Sequence, residues 1–393
     1  MKKIIIALIL AVVSVTVFAV PIGQSAFAGS VGVFDASVYS SRAAYMLDYD
    51  TGTVILDKNS DEKYPIASMV KIMTLLIAFD EIDKGNLSLE EKIVISDYAA
   101  GMGGSQMFLD SGEEYSVSDL IKGVTVCSAN DAATALGERI SGNIESFVQK
   151  MNGYAKEIGM NNTLFCNATG LPNSGEQYST AKDVSVMFRK LLGHEKYFEY
   201  SGIWMENYVH PDGRTTEMVN TNKLVRFYKN CDSGKTGYTE EAKHCLAASA
   251  KFGDMRIVAV VLGAENSKVR FKEMTDMFNY ASSSYEVRTL IKKGDVIPND
   301  LTIKKATDEP IELYVDRDIK YFTRKGVPTE EFVNIELVEN AVAPISKETP
   351  LGRVTVVDKS GKVVCEGNIY SVRDIEKANF IDSIEKVLRN WLG

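Results

Sequence analysis

Three short groups of residues in this chain have the make-up of acyl-transfer machinery: Ser68-Met69-Val70-Lys71, Ser128-Ala129-Asn130 and Lys235-Thr236-Gly237. Acyl transfer needs a nucleophile, a proton acceptor and a site prepared for the oxyanion. A hydroxyl and an amine three residues apart on a helix lie on one face, within mutual reach. Placed at a helix N-terminus, Ser68 would also meet a dipole that favours developing negative charge. Lys71 can take a proton only if its pKa falls, and burial together with a second cation at Lys235 would push it that way. Each group alone is weak, because Ser-x-x-Lys recurs at Ser60/Lys63, Ser179/Lys182 and Ser383/Lys386. The competing reading of the first group is a capping serine followed by a solvated lysine. Ser128 and Asn130 suit N-capping of the helix that follows, and equally a hydroxyl relay to a departing amine with an amide on the substrate backbone. Lys235 and Thr236 suit a carboxylate. Gly237 removes a side chain where an extended ligand would lie along a strand edge.

The elements that must position these residues are legible in outline. Ala43–Asp48 and Thr53–Leu56 flank Tyr49-Asp50-Thr51-Gly52, a hairpin signal. Ala67–Ile82 is apolar nearly all round, which marks a central, buried helix and leaves Lys71 little water. Helical patterns follow at Ser118–Val126, Asp131–Ile140, Ile144–Ile158 and Ala181–Leu192, the last capped by Ser179 or Thr180. Apolar strands at Cys245–Ala250 and Met255–Leu262 meet at Phe252-Gly253-Asp254. A hairpin, many helices and a late hairpin predict an α+β domain with an antiparallel sheet, not a doubly wound parallel one. After Tyr285–Arg288 short β-like runs (Ile311–Val315, Val333–Val338, Arg353–Val357, Val363–Glu366) predict a small all-β module. Ile375–Leu392 carries one apolar face at helical spacing.

At 393 residues, 45% of them hydrophobic and 25% charged, the chain suits two domains plus appendages. Its net charge of −9 argues against nucleic acid as a partner, since phosphate binding needs clustered Lys and Arg. Lys2-Lys3, the apolar run Ile4–Val20 and Ala26-Phe27-Ala28 read as a cleavable export signal over residues 1–28, with a retained anchor as the alternative. Either way the remainder is extracytoplasmic. Five scattered cysteines without Cys-x-x-Cys spacing imply neither a disulfide framework nor structural zinc, and no metal or cofactor is expected. Cys127 reads as a small apolar residue. No Gly-x-Ser-x-Gly elbow occurs, and His194, His210 and His244 have no zinc-motif spacing.

With these motifs in this order, the chain resembles the low-molecular-mass penicillin-binding proteins that are serine-type D-alanyl-D-alanine carboxypeptidases (peptidase family S11), closest to their sporulating-bacterium branch. The likeness extends through Ile66–Thr74, Gly104–Leu109, Ser128–Ala132, Asn162-Thr163, Gly170-Leu171, Gln177–Ser179 and Gly234–Ala250. It implies a five-stranded antiparallel sheet sandwiched by helices over residues 29–286, a β-sandwich over 287–372 and an amphipathic, membrane-binding helix over 373–393. It implies that Ser68 attacks the penultimate D-Ala carbonyl of peptidoglycan stem peptides, that Lys71 takes its proton and that Ser128 passes one to the departing D-Ala. Asn130 would bind the substrate backbone. The amides of Ser68 and Tyr238 would form the oxyanion hole, and Lys235 and Thr236 with Arg270 would hold the terminal carboxylate beside Gly237. β-Lactam antibiotics would be covalent inhibitors.

Two departures from the family pattern are Ala129, where glycine is usual, and Tyr238, where some relatives carry histidine. Ala129 is harmless only if its backbone is not at positive φ. A β-lactamase would need a deacylating carboxylate, and Glu157-Ile158-Gly159-Met160-Asn161 offers one only on the polar side of its helix. An endopeptidase cutting cross-links and an inactive penicillin-fold scaffold remain as alternatives. For the tail, a helix in the membrane interface and a helix packed on the β domain are both open; its mixed charges make attraction to anionic lipid weak.

Overall fold

The computed structural model describes residues 36–172, 175–307, 310–326, 332–357, 361 and 363–379. The readings of residues 1–28 as a leader and of the tail beyond residue 379 as a helix lie outside the described residues. The chain divides into two compact units, one from Gly32 to Ser284 and one from Tyr285 on.

In the first unit the strands are β1 (Ala43–Asp48), β2 (Val54–Lys58), β3 (Lys92–Val94), β4 (Glu114–Ser116), β5 (Met205–Val209), β6 (Thr215–Val219), β7 (Cys231–Thr239), β8 (Lys243–Phe252) and β9 (Met255–Ala264). The helices are α1 (Lys71–Asp83), α2 (Asp97–Ala100), α3 (Val117–Val126), α4 (Asn130–Ser141), α5 (Ile144–Glu157), α6 (Ala181–Leu191), α7 (Phe198–Ser201), α8 (Leu224–Phe227) and α9 (Ser267–Ser284). An antiparallel sheet runs β2-β1-β9-β8-β7, so β7 is an edge strand. β8 and β9 are buried at consecutive positions, which requires cover on both faces. Cys245, Ala247, Val258, Val260 and Leu262 join the core built around α1, where Ile72, Leu75 and Phe79 have no exposure. α9 lies against β8 and β9 outside that core. Ser116, Asn143 and Thr180 cap α3, α5 and α6 through their side chains.

Several elements escaped the sequence, among them the short β3 to β6, α2, α7 and α8, and two long ones, α9 and β7. The buried face of α9 runs Arg270, Glu273, Met274, Met277, Phe278, Ala281, so two charged residues interrupt its apolar periodicity. Glu273 is spent on four bonds to Ser40 and Ser41. β7 is rich in Gly, Ser and Thr, without the β-branched apolar alternation that identifies a strand, yet it pairs with β8 from Cys231↔Ala250 to Thr239↔Lys243.

The second unit is all-β. β10 (Tyr285–Ile291) pairs with β13 (Ile319–Arg324). β11 (Val296–Ile297), β12 (Leu313–Val315), β16 (Val363–Ser371), β15 (Gly352–Val357) and β14 (Phe332–Leu337) form a second sheet in that order. Leu313, Val315, Ile319, Val354, Val356 and Ile369 are its core. The helix expected from Ile375 does not begin there. Ile375 exchanges backbone bonds of 2.9 Å with Ile345 in both directions, Lys377 bridges Ala306, and the Ile375 side chain belongs to the β core. The β unit's apolar demand wins over the helical spacing at these positions.

Candidate active site

Ser68 sits in a short 3-10 turn, Ala67–Val70, that runs directly into α1. In such a turn residues i and i+3 eclipse, and Lys71 Nζ accordingly reaches Ser68 Oγ at 3.1 Å. Ser68 is half-buried while Lys71 has no exposure. The turn is strained at Ala67, whose φ is +48. It is gripped from two sides by glycines. A Cβ at Gly170 would stand 2.0 Å from the Ala67 carbonyl oxygen, and one at Gly237 would stand 2.6 Å from that of Ile66. The second figure gives glycine at 237 a reason the sequence did not show: its missing side chain makes room for the nucleophile turn against β7.

Lys71 Nζ has two further partners, Asn130 Oδ1 at 2.5 Å and the Thr169 carbonyl at 2.7 Å. Asn130 Nδ2 donates to the Gly103 carbonyl at 2.6 Å, which fixes the amide with its oxygen toward Lys71. Burial, then the charge of Lys235, holds the Lys71 amine well below the ordinary lysine range. A neutral amine has two N–H groups and one lone pair. Its two closest partners can only accept, so they take both N–H groups and leave the lone pair for the Ser68 hydroxyl.

Ser128 and Asn130 do not cap α4. The N-cap is Ala129, without a side-chain bond. Ser128 Oγ is instead held by Lys235 Nζ at 2.7 Å, and Ser128 occupies the left-handed region at φ +64. That conformation costs about 1–3 kcal/mol and is typical of functional turns. Ala129 has φ −55, so its methyl brings no backbone strain. Its amide donates to the Gly123 carbonyl at 3.0 Å, closing the turn after α3. The buried Asp131 carboxylate accepts from the amides of Met107 and Leu109, tying the Ser105–Leu109 segment to α4.

Lys235 is fully buried in β7 and also donates to the Thr236 carbonyl at 3.1 Å. Burial, with the Arg270 charge adding to it, brings its pKa down to about 7. Thr236 is nearly buried and Tyr238 half exposed, its ring 4.5 Å from that of His244 and its hydroxyl on Glu240. Arg270, from α9, is buried and donates to the carbonyls of Cys245 at 3.1 Å and Gly237 at 3.4 Å. The structure thus joins Arg270 to the end of β7 through backbone and charge. Burial pushes the Cys127 thiol up to about 11, which removes it as a nucleophile. Glu157 is exposed at the end of α5. The motifs gave no signal for the Thr169 carbonyl, Asn167 or Asp131; backbone acceptors and turn residues have no spacing to read.

A Ser-Lys pair beside a second Ser-Lys pair, on an antiparallel sheet flanked by helices, defines a serine peptidase of the penicillin-binding fold. Residues 33–266 match the family described as D-alanyl-D-alanine carboxypeptidase, and residues 285–377 match the penicillin-binding protein 5 C-terminal domain. The chain belongs to this carboxypeptidase family, peptidase family S11. It is 38% identical to D-alanyl-D-alanine carboxypeptidase DacF of Bacillus subtilis (strain 168), over all of this chain and 99% of that one. Penicillin binding protein 5 of Haemophilus influenzae superposes with a TM-score of 0.69 at 27% identity, covering 86% of this chain and 98% of that one. Penicillin-binding protein D2 of Listeria monocytogenes, solved in its ampicillin-bound form, gives 0.55 at 30% identity over 62% and 97%.

Proposed function

We propose that this chain removes the terminal D-alanine from peptidoglycan stem pentapeptides through an acyl-enzyme on Ser68, and that β-lactams acylate the same serine. The observation that carries the reading is the buried Lys71 amine held within reach of Ser68 between two acceptors; with its proton affinity lowered, its lone pair is left for Ser68. Two pure acceptors at 2.5 and 2.7 Å absorb its N–H groups, and Ser68 Oγ lies at 3.1 Å. Lys71 takes the Ser68 proton as Oγ attacks the penultimate D-Ala carbonyl. The amides of Ser68 and Tyr238 receive the oxyanion. As the C–N bond breaks, Ser128, polarised by Lys235, passes its proton to the departing D-Ala amine and regains one from the Lys71 ammonium, which restores the neutral base. Lys235, Thr236 and the charge of Arg270 hold the terminal carboxylate, Asn130 binds the substrate backbone, and water releases the shortened peptide. Alongside this we propose domain limits of 29–286 and 287–372, export by the leader over 1–28, and attachment to the extracytoplasmic face of the cell membrane through the apolar face of the tail, 373–393.

Mass spectrometry of diacetyl-Lys-D-Ala-D-Ala digests tests the reaction. The wild type releases one D-Ala and Ser68→Ala releases none; release by the variant refutes the assignment. Cleavage of cross-linked dimers as fast as a pentapeptide would favour an endopeptidase instead.

A further inference from the structure

The Thr169 carbonyl that takes one N–H of Lys71 belongs to a turn with its own clamp. Asn167 Oδ1 accepts from the Gly170 amide at 2.6 Å, the Thr169 amide at 3.0 Å and the Thr169 hydroxyl at 3.3 Å. Its Nδ2 donates to the Leu171 carbonyl at 2.9 Å. A trans peptide points its C=O and its N–H in opposite directions. The Gly170 N–H and the Thr169 C=O are the two ends of one such plane. Holding the first against Asn167 therefore aims the second, and it arrives 2.7 Å from Lys71 Nζ. The turn is anchored below by Thr74, whose hydroxyl donates to the Ala168 carbonyl at 2.9 Å. It is pressed on the Ala67–Ser68 backbone by Gly170.

We propose that Asn167 is a positioning residue for acyl transfer, orienting the Thr169–Gly170 peptide so that the lone pair of Lys71 is delivered to Ser68. The chain of bonds runs Asn167 Oδ1, Gly170 N–H, Thr169 C=O, Lys71 N–H. Each member polarises the next. The proposal rests on Lys71 being the base. The charged and titratable groups around that amine are Lys235 of β7, Cys127 at the end of α3 and Asp131 of α4.

The test is the rate of acylation per active site by a fluorescent penicillin, measured from pH 5 to 9 on the full chain. In Asn167→Ala the plateau rate falls ~10- to 100-fold, the range a misplaced reacting group costs. Its acid limb also moves to lower pH, because a carbonyl acceptor favours the charged amine and has been lost. Asn167→Asp keeps the Oδ1 acceptor and loses the Nδ2 bond to Leu171. It recovers the plateau to within about fivefold, and its added negative charge moves the acid limb to higher pH. A role confined to folding would reduce the number of labelled sites while leaving the rate per site and the limb in place. That result in Asn167→Ala, or an unmoved limb in Asn167→Asp should the alanine variant not fold, overturns the proposal. If Ser68→Ala still acquires the adduct, it is the reaction assignment that fails, independently of Asn167.

Discussion

Gly170→Ala should uncouple the nucleophile from its surroundings more severely than a one-methyl change ordinarily does. A Cβ at Gly170 would lie 2.0 Å from the Ala67 carbonyl oxygen, 2.3 Å from its carbon and 2.8 Å from the Ser68 amide nitrogen. These are backbone atoms, so no side-chain rotation relieves the contact, and the gap must open by about 1 Å or more. Gly170 also has φ +82, where an alanine costs about 1 kcal/mol. Overpacking of this kind costs typically about 1–3 kcal/mol in addition. The combined loss is therefore about 2–4 kcal/mol of stability. Because the displaced atoms carry the nucleophile, an ~100-fold fall in acylation accompanies it. Gly142→Ala is the control. It has φ +81 with nothing within 4 Å, so it reports the backbone strain alone. Denaturant unfolding gives the stabilities, and stopped-flow labelling with a fluorescent penicillin gives the acylation rates. The reasoning is refuted if Gly170→Ala is no less stable than Gly142→Ala and acylates within threefold of the wild type.

Lys235→Gln removes the second cause, after burial, of the low Lys71 pKa. The amine then keeps its proton to higher pH, so the acid limb of acylation moves upward; a limb that stays or falls counts against it. Lys235→Met addresses stability. A lysine with a folded pKa of about 7, below its unfolded value, binds fewer protons in the native state, so it costs stability at low pH and the cost fades as pH rises through the interval from 7 toward 10.5. Lys235→Met should raise Tm more at pH 6 than at pH 9.5, and equal gains at both would contradict the burial of that amine. Ala129→Gly should leave kcat/KM within about threefold and cost about 1 kcal/mol in thermal unfolding, since φ −55 already suits alanine; a gain in activity would show that the methyl narrows the cleft.

Much of the architecture was readable before any coordinates. Amphipathic periods located α3, α4, α5 and α6 to within a residue, because local burial patterns are written in the order of residues; the apolar run from Ala67 found α1 but not its start, since its first four residues form the 3-10 turn of Ser68. Ser68, Lys71, Ser128, Asn130 and Lys235 were legible as a set because their chemistry is unusual at that spacing. Only the tertiary structure decided what each one touches. Ser128 and Asn130 could as well have capped a helix, and the fold turned them onto two buried amines instead. Gly237 yields its side chain to the Ser68 turn, a contact between segments some 170 residues apart, and the orienting acceptor of Lys71 is a backbone carbonyl with no side-chain identity. The sequence determined which groups are present and which helices carry them. The low proton affinity and directed lone pair of Lys71 come from desolvation and from partners at 59 and 98 residues' separation, and such distances exist only once the chain has closed on itself.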